Sequence, residues 1–144
     1  MTPYLDLLTR VRDHIANEPD SHDQNVWMTV SGPIVPVGRV EGGVTLSCPT
    51  AACVAGWACF LNGDSPFLDA EVAEFCEDDP SVEVELVLAD GEVRCVESRA
   101  QELLGLEDDD ALDLFDAVNT RDYVLQRLDV FIEREKNRLE KVVT

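Results

Sequence analysis

Positive charge is scarce in this sequence of 144 residues. Eleven lysines and arginines stand against thirty aspartates and glutamates, so the formal net charge is −19. Proteins that bind phosphate backbones or anionic lipid depend on a surplus of positive charge. The composition therefore argues against direct nucleic-acid binding and against attachment to a membrane.

Long apolar runs and a secretory signal are also lacking. The longest uncharged stretch, residues 42–63, is interrupted by Pro49 and Gly56, and its helical part is shorter than the ~20 residues that cross a bilayer. The N-terminus shows no basic segment followed by an apolar one. Five cysteines are an odd number that no closed disulfide framework uses up. We therefore expect a cytoplasmic protein with reduced thiols.

The pattern of apolar residues predicts a mostly helical α+β fold in one domain, residues 1–144. Residues 3–17 have the spacing of an amphipathic helix. Residues 49–62 are apolar on all sides, which predicts a buried central helix. Alternation over 82–96 around an Asp-Gly pair predicts a small antiparallel β-hairpin.

Capping signals predict further helices. Ser65-Pro66 is a cap followed by proline, which predicts a helix from Pro66 toward Pro80. Ser98 and Gln101 have the spacing of a capping box for a short helix that ends at Gly105. Residues after Thr120 carry an apolar stripe at the spacing of a long helix.

The negative charge is concentrated in residues 64–116, which hold nineteen acids and two bases and carry −17. We interpret this region either as a solvated surface that maintains solubility or as a surface that binds a basic partner. The candidate partner-binding residues are Glu77, Asp78, Asp79, Glu107, Asp108, Asp109, Asp110, Asp113 and Asp116. Helix-start electrostatics explains the run at 107–110 better than a calcium loop, because the glycine and ligand pattern of such a loop is missing.

The most distinctive segment contains Cys48, Cys53 and Cys59. Cys48 and Cys53 with His22 form a weak candidate zinc site, and Cys48 before Pro49 is placed for thiol or redox chemistry. Neither reading supplies a full ligand set or a general base. The favoured interpretation is a packed helix with no cofactor and no catalytic residue, in which Cys53, Gly56 and Trp57 are structural core. Trp27 is likewise expected in the core.

This segment resembles a motif in small proteins of actinobacterial phages and actinobacteria. The motif residues here are Cys48, then Cys53-Val54-Ala55-Gly56-Trp57-Ala58, followed by Ala100-Gln101-Glu102-Leu103-Leu104-Gly105-Leu106 and Leu114-Phe115. Pro49 stands where the related segments carry glycine. The resemblance implies a phage or prophage accessory protein in a bacterial cytoplasm, and it supplies no activity or catalytic residue.

The leading hypothesis is a non-enzymatic protein, encoded by a phage, that binds a basic surface of a host protein through its acidic region. Two alternatives stay open. One is a thiol, redox or zinc module centred on Cys48 and Cys53. The other is a structural phage protein that assembles through its C-terminal helix, where acids and bases alternate over 133–141. The sequence leaves the oligomeric state open.

Overall fold

A computed structural model of the chain describes residues 3–31, 36, 38–40, 42–46, 49–75 and 81–143. Within them the α-helices are α1 (Pro3–Asn17), α2 (Val54–Leu61), α3 (Ala70–Phe75), α4 (Val96–Leu104), α5 (Asp108–Leu114) and α6 (Arg121–Val143), and a 3-10 turn spans Pro19–Ser21. The strands are β1 (Met28–Ser31), β2 (Gly38–Val40), β3 (Gly43–Thr45), β4 (Ala51–Ala52), β5 (Ser65–Asp69), β6 (Ser81–Glu83), β7 (Leu86–Ala89) and β8 (Glu92–Cys95). The predicted α+β class is confirmed.

The strands form two antiparallel sheets. One has the strand order β4-β1-β6 and the other β2-β3-β5-β7-β8. In the smaller sheet, β1 joins segments that are distant in sequence, since Met28 pairs with Ala52 and Val30 with Val82. In the larger sheet, β7 and β8 form a hairpin whose turn residues, Asp90 and Gly91, both have positive φ.

The helix α2 lies at the centre, as predicted, between α1 and α4. All its residues from Val54 to Cys59 are buried. Trp57 is 2% exposed, and its indole Nε1 donates a hydrogen bond to the carbonyl of Ser21 (2.9 Å). Gly56 permits close packing, because a Cβ atom there would lie 2.0 Å from the carbonyl oxygen of Trp27.

The longest helix, α6, packs against α1. The apolar stripe of α6, which includes Val124, Leu128 and Phe131, is buried. Arg12 of α1 reaches across to Asp129, with Nε 3.0 Å from Oδ1. The first and last helices therefore cover each other's apolar faces.

The central helix begins at Val54, whereas the sequence predicts a start at Pro49. The amide of Thr50 donates to the carbonyl of Thr29 (2.7 Å), and Ala51 and Ala52 pair with β1. Cys53 is extended, with ψ 179, immediately before the helix. Pairing with a distant strand thus overrides the local helical signal of residues 49–53.

Three other boundaries differ from the prediction. The hairpin is confirmed for Leu86–Cys95, but Val82 pairs with β1, because alternation alone does not choose between two sheets. The helix predicted from Pro66 begins at Ala70, because residues 65–69 pair with β3 and β7 on both sides. The helix α4 starts at Val96, ahead of the predicted cap at Ser98, and ends at Gly105 with φ 66 as expected.

Candidate functional site

Three of the predicted partner-binding acids lie at the exposed start of α5. Glu107 precedes the helix, and Asp108 and Asp109 occupy its first turn. Asp108 accepts a hydrogen bond from Nε2 of Gln101 (2.7 Å), which ties this turn to α4. Negative charge is stabilised at a helix start. These carboxylates therefore face solvent, and among the described basic residues none forms an ion pair with them.

Two further predicted acids, Asp110 and Asp113, face α6. Oδ2 of Asp110 lies 3.3 Å from Nη1 of Arg134, and Oδ2 of Asp113 lies 2.9 Å from Nε of Arg127. The hydroxyl of Tyr123 donates to both oxygens of Asp113 (2.8 and 2.9 Å), and this contact raises the pKa of Tyr123. The charges of Asp110 and Asp113 are thus balanced within the protein, where they hold α5 against α6.

The remaining predicted acids divide between a loop and the undescribed part of the chain. Asp116 is exposed after α5, and its Oδ1 accepts a hydrogen bond from the amide of Val118 (3.1 Å). Glu77, Asp78 and Asp79 lie outside the described residues. The structure therefore brings the acids of 107–116 together on one short helix and its loop, in a solvent-facing group and a group that faces α6.

The described cysteines of the distinctive segment are buried thiols. Cys53 is 1% exposed and Cys59 0%. Burial raises the pKa of Cys53 to about 11 and raises that of Cys59 further. A nucleophilic or zinc-binding cysteine acts as a thiolate, which this environment disfavours. Cys48, the other member of the predicted pair, lies outside the described residues.

His22, the third candidate zinc ligand, is held by a neighbouring amide. It forms a β-bridge with Ala52, directly before Cys53. Its Nε2 lies 2.8 Å from Oε1 of Gln24, and burial lowers the pKa of the imidazole. In the part of the chain that the structure describes, no three His, Cys, Asp or Glu side chains are grouped so as to hold a metal ion.

The side chain of Gln24, which sequence reasoning missed, joins three segments of the fold. Gln24 is 8% exposed. Besides His22, its Oε1 receives a long contact from the amide of Val54 (3.5 Å). Its Nε2 donates to the carbonyls of Leu114 (3.0 Å) and Asp116 (3.3 Å). The loop before β1 is therefore fixed between the start of α2 and the end of α5.

A cavity of about 180 Å³ opens beside this amide. The rings of Trp27 and Phe115 meet edge to face in its wall, with centroids 6.5 Å apart. Trp27 was expected in the core but is only partly buried. The other residues that line the cavity are Gln24, Asn25, Val26, Cys53 and Ala117. A sequence signal for this site was the Asp23–Asn25 segment, whose turn-forming residues place a tryptophan on a loop.

Comparisons with protein-family models, with curated proteins and with solved structures found no match to this chain. Among the described helices, none is both long and apolar enough to span a membrane. The chemistry of the α5 acids and of the adjacent cavity is therefore the basis for a functional assignment.

Proposed function

We propose that this protein is a non-enzymatic, acidic interaction protein: a phage-encoded accessory factor that binds a basic surface of a host protein in the bacterial cytoplasm. The observation that supports this proposal is the pairing of the few basic residues. Most of them form ion pairs with acids of the same chain, namely Arg10, Arg12, Arg94, Arg99, Arg127, Arg134, Lys136 and Arg138. The solvent-facing acids of α5 thus keep their negative charge available for a partner.

Exposed apolar side chains on α5 and on the loop after it support a binding surface in this region. Leu112, one turn after Asp108 and Asp109, is 64% exposed, and Val118 is 83% exposed. Binding surfaces combine an apolar centre with a polar rim. Acids around such residues accelerate encounter with a basic partner and make binding sensitive to salt.

The two alternatives have less support. The thiol or zinc module would need a thiolate, whereas burial keeps Cys53 protonated at neutral pH. Assembly through the C-terminal helix would use the charges over 133–141, and several of these already pair within the chain: Glu133 with Lys136, Glu135 with Arg138, and Arg134 with Asp110.

Retention of host proteins on the immobilised chain tests the proposal. The binding variant combines Glu107→Gln, Asp108→Asn and Asp109→Asn. It leaves Asp110 and Asp113 unchanged, because their ion pairs hold α5 in place. Circular dichroism checks that the variant is folded.

The matched control removes the same charge elsewhere, through Glu83→Gln, Glu85→Gln and Glu92→Gln, all exposed. We expect a host protein that is retained at about 0.05 M salt and released at about 0.5 M. The α5 variant should lose most of it, and the control should retain it. Retention that is indifferent to salt and to both variants contradicts the proposal, as does the absence of any retained host protein.

A further inference from the structure

We infer that the cavity bounded by Trp27 and Phe115 receives one long basic side chain, an arginine or a lysine, from the protein partner. This inference rests on the proposed function and names the chemistry that the partner presents. The cavity lies at the end of α5, directly beside the loop of Asp116 and Val118.

The walls suit the aliphatic stem and the cation of such a side chain. Trp27 is partly exposed and lines the cavity. Cations bind favourably over tryptophan and phenylalanine rings within about 6 Å of the ring centre. Val26, Ala117 and the protonated thiol of Cys53 provide an apolar lining for methylene groups.

Two carboxylates belong to residues next to the lining: Asp23 precedes Gln24, and Asp116 stands between Phe115 and Ala117. Oδ1 of Asp23 accepts a hydrogen bond from the amide of Asn25 (3.0 Å), and Oδ1 of Asp116 accepts one from Val118 (3.1 Å). The charge of Asp23 also acts on Cys53 in the lining. Arg121 opposes them, since its charge acts on His22 nearby. The residues next to the lining thus carry two carboxylates against one guanidinium, and this local excess of negative charge favours a cation over a neutral apolar side chain.

The cavity is formed before any partner binds. The buried amide of Gln24 is bonded to the carbonyls of Leu114 and Asp116, which fixes one wall relative to the other. A preformed pocket avoids the cost of ordering its walls on binding. A single basic side chain can therefore anchor the partner at this point.

Short peptides test the inference without knowledge of the partner. The probes are N-acetyl-Gly-Arg-Gly-amide, the same peptide with citrulline, which is a neutral isostere of arginine, and the same peptide with norleucine. The readout is the indole N–H signal of Trp27 in ¹H–¹⁵N NMR spectra of the full chain. Trp57 is an internal control, because its indole is buried and bonded to Ser21.

We expect a saturable shift of the Trp27 signal with the arginine peptide at millimolar concentration, and binding about five-fold weaker with citrulline. The double variant Asp23→Asn, Asp116→Asn should weaken arginine binding about three- to ten-fold. The loss would come from the removed charge, because the side-chain oxygen of each asparagine can still accept the hydrogen bond that the carboxylate accepts. Asp69→Asn is the matched control: its carboxylate accepts the same kind of bond, from the amide of Glu71, and neither Asp69 nor its chain neighbours line the cavity.

Equal or tighter binding of norleucine, or no shift with any peptide, overturns the inference. Its failure is separable from failure of the proposed function. If a host protein is retained in a salt-sensitive way and the Asp23 and Asp116 substitutions do not affect its retention, the inference about the cavity is wrong and the proposed function still stands. If the arginine peptide shifts the Trp27 signal but no host protein is retained, the cavity binds a basic side chain and the proposed function is contradicted.

Discussion

Replacement of Gly56 by alanine tests how closely the central helix packs against the rest of the fold. Gly56 lies in the middle of α2, where an added Cβ would be 2.0 Å from the carbonyl oxygen of Trp27 and 2.7 Å from Cγ of Met28. The nearest of these atoms belongs to backbone, which cannot rotate away as the end of a side chain can. The loop and strand around Trp27 would therefore have to move.

Two opposing effects set the size of the change. Alanine in a helix interior is favoured over glycine by about 1 kcal/mol. Overpacking a well-packed core costs about 1–3 kcal/mol and occasionally more. Because the clash with Trp27 involves backbone and is far inside van der Waals contact, we take the cost at or above the top of that range. We expect Gly56→Ala to lower the free energy of unfolding by about 2–3 kcal/mol.

Urea denaturation followed by circular dichroism measures this loss, which corresponds to about 5–10 °C in melting temperature. Gly63→Ala is the control. Gly63 has φ +103 with no atom within 4 Å of an added Cβ, so alanine there strains the backbone without crowding. The Gly56 variant should also shift the tryptophan fluorescence, since Trp27 and Trp57 both adjoin this position, and the Gly63 variant should not. A Gly56→Ala protein as stable as the parent, or more stable, refutes the packing argument.

Two other predictions concern buried charge and pH. Arg99→Leu should lower the free energy of unfolding by about 3–5 kcal/mol, because it leaves the carboxylate of Asp64 buried at 5% exposure without its partner at 2.8 Å. Arg94→Leu, whose ion pair is exposed, should cost about 1 kcal/mol or less, and equal losses in urea denaturation would contradict this reasoning. Burial lowers the pKa of the His22 imidazole below 6.5 in the folded protein. As the pH falls, the imidazole is therefore protonated in the unfolded chain before it is protonated in the folded one. The free energy of unfolding should fall as the pH drops from 6.5 toward the folded pKa. Unfolding midpoints between pH 7.5 and 5.5 should fall less in His22→Gln than in the parent, and an unchanged pH dependence would contradict this assignment.

Much of the fold follows from local signals in the sequence. The helix over residues 3–17 and the hairpin turn at Asp90-Gly91 lie where periodicity and turn chemistry place them. Gly105 ends α4 in a left-handed conformation, as a C-terminal glycine predicts. In these segments the local preference and the tertiary structure agree.

The errors lie where a distant strand competes with a local helical signal. Ala51 is a good helix former, yet β1 recruits it into a sheet. Pro66 begins a helix in many proteins, yet here it lies in a central strand and pairs with Val87. No local pattern records which segments meet across the chain, so sequence periodicity could not have shown either pairing.

The candidate site was only partly accessible from the sequence. The acidic character of α5 is visible in its composition, but the division between solvent-facing acids and those bound to α6 depends on where Arg127 and Arg134 lie. The turn-forming residues around Gln24 are visible in the sequence, but the cavity beside Trp27 depends on the hydrogen bonds of Gln24 to the distant Leu114 and Asp116, which no local pattern shows.

The packing of α1 against α6 has a consequence during synthesis on the ribosome. Arg12 and Asp129 are 117 residues apart, so most of the nascent chain must emerge before α1 meets the helix that covers it. Until then the part of the apolar face of α1 that packs against α6 stays open to water and to wrong partners, whereas the part that packs against α2 can be covered earlier. A translation pause upstream of α6 would therefore lengthen the time for which this face is open to aggregation and to chaperones.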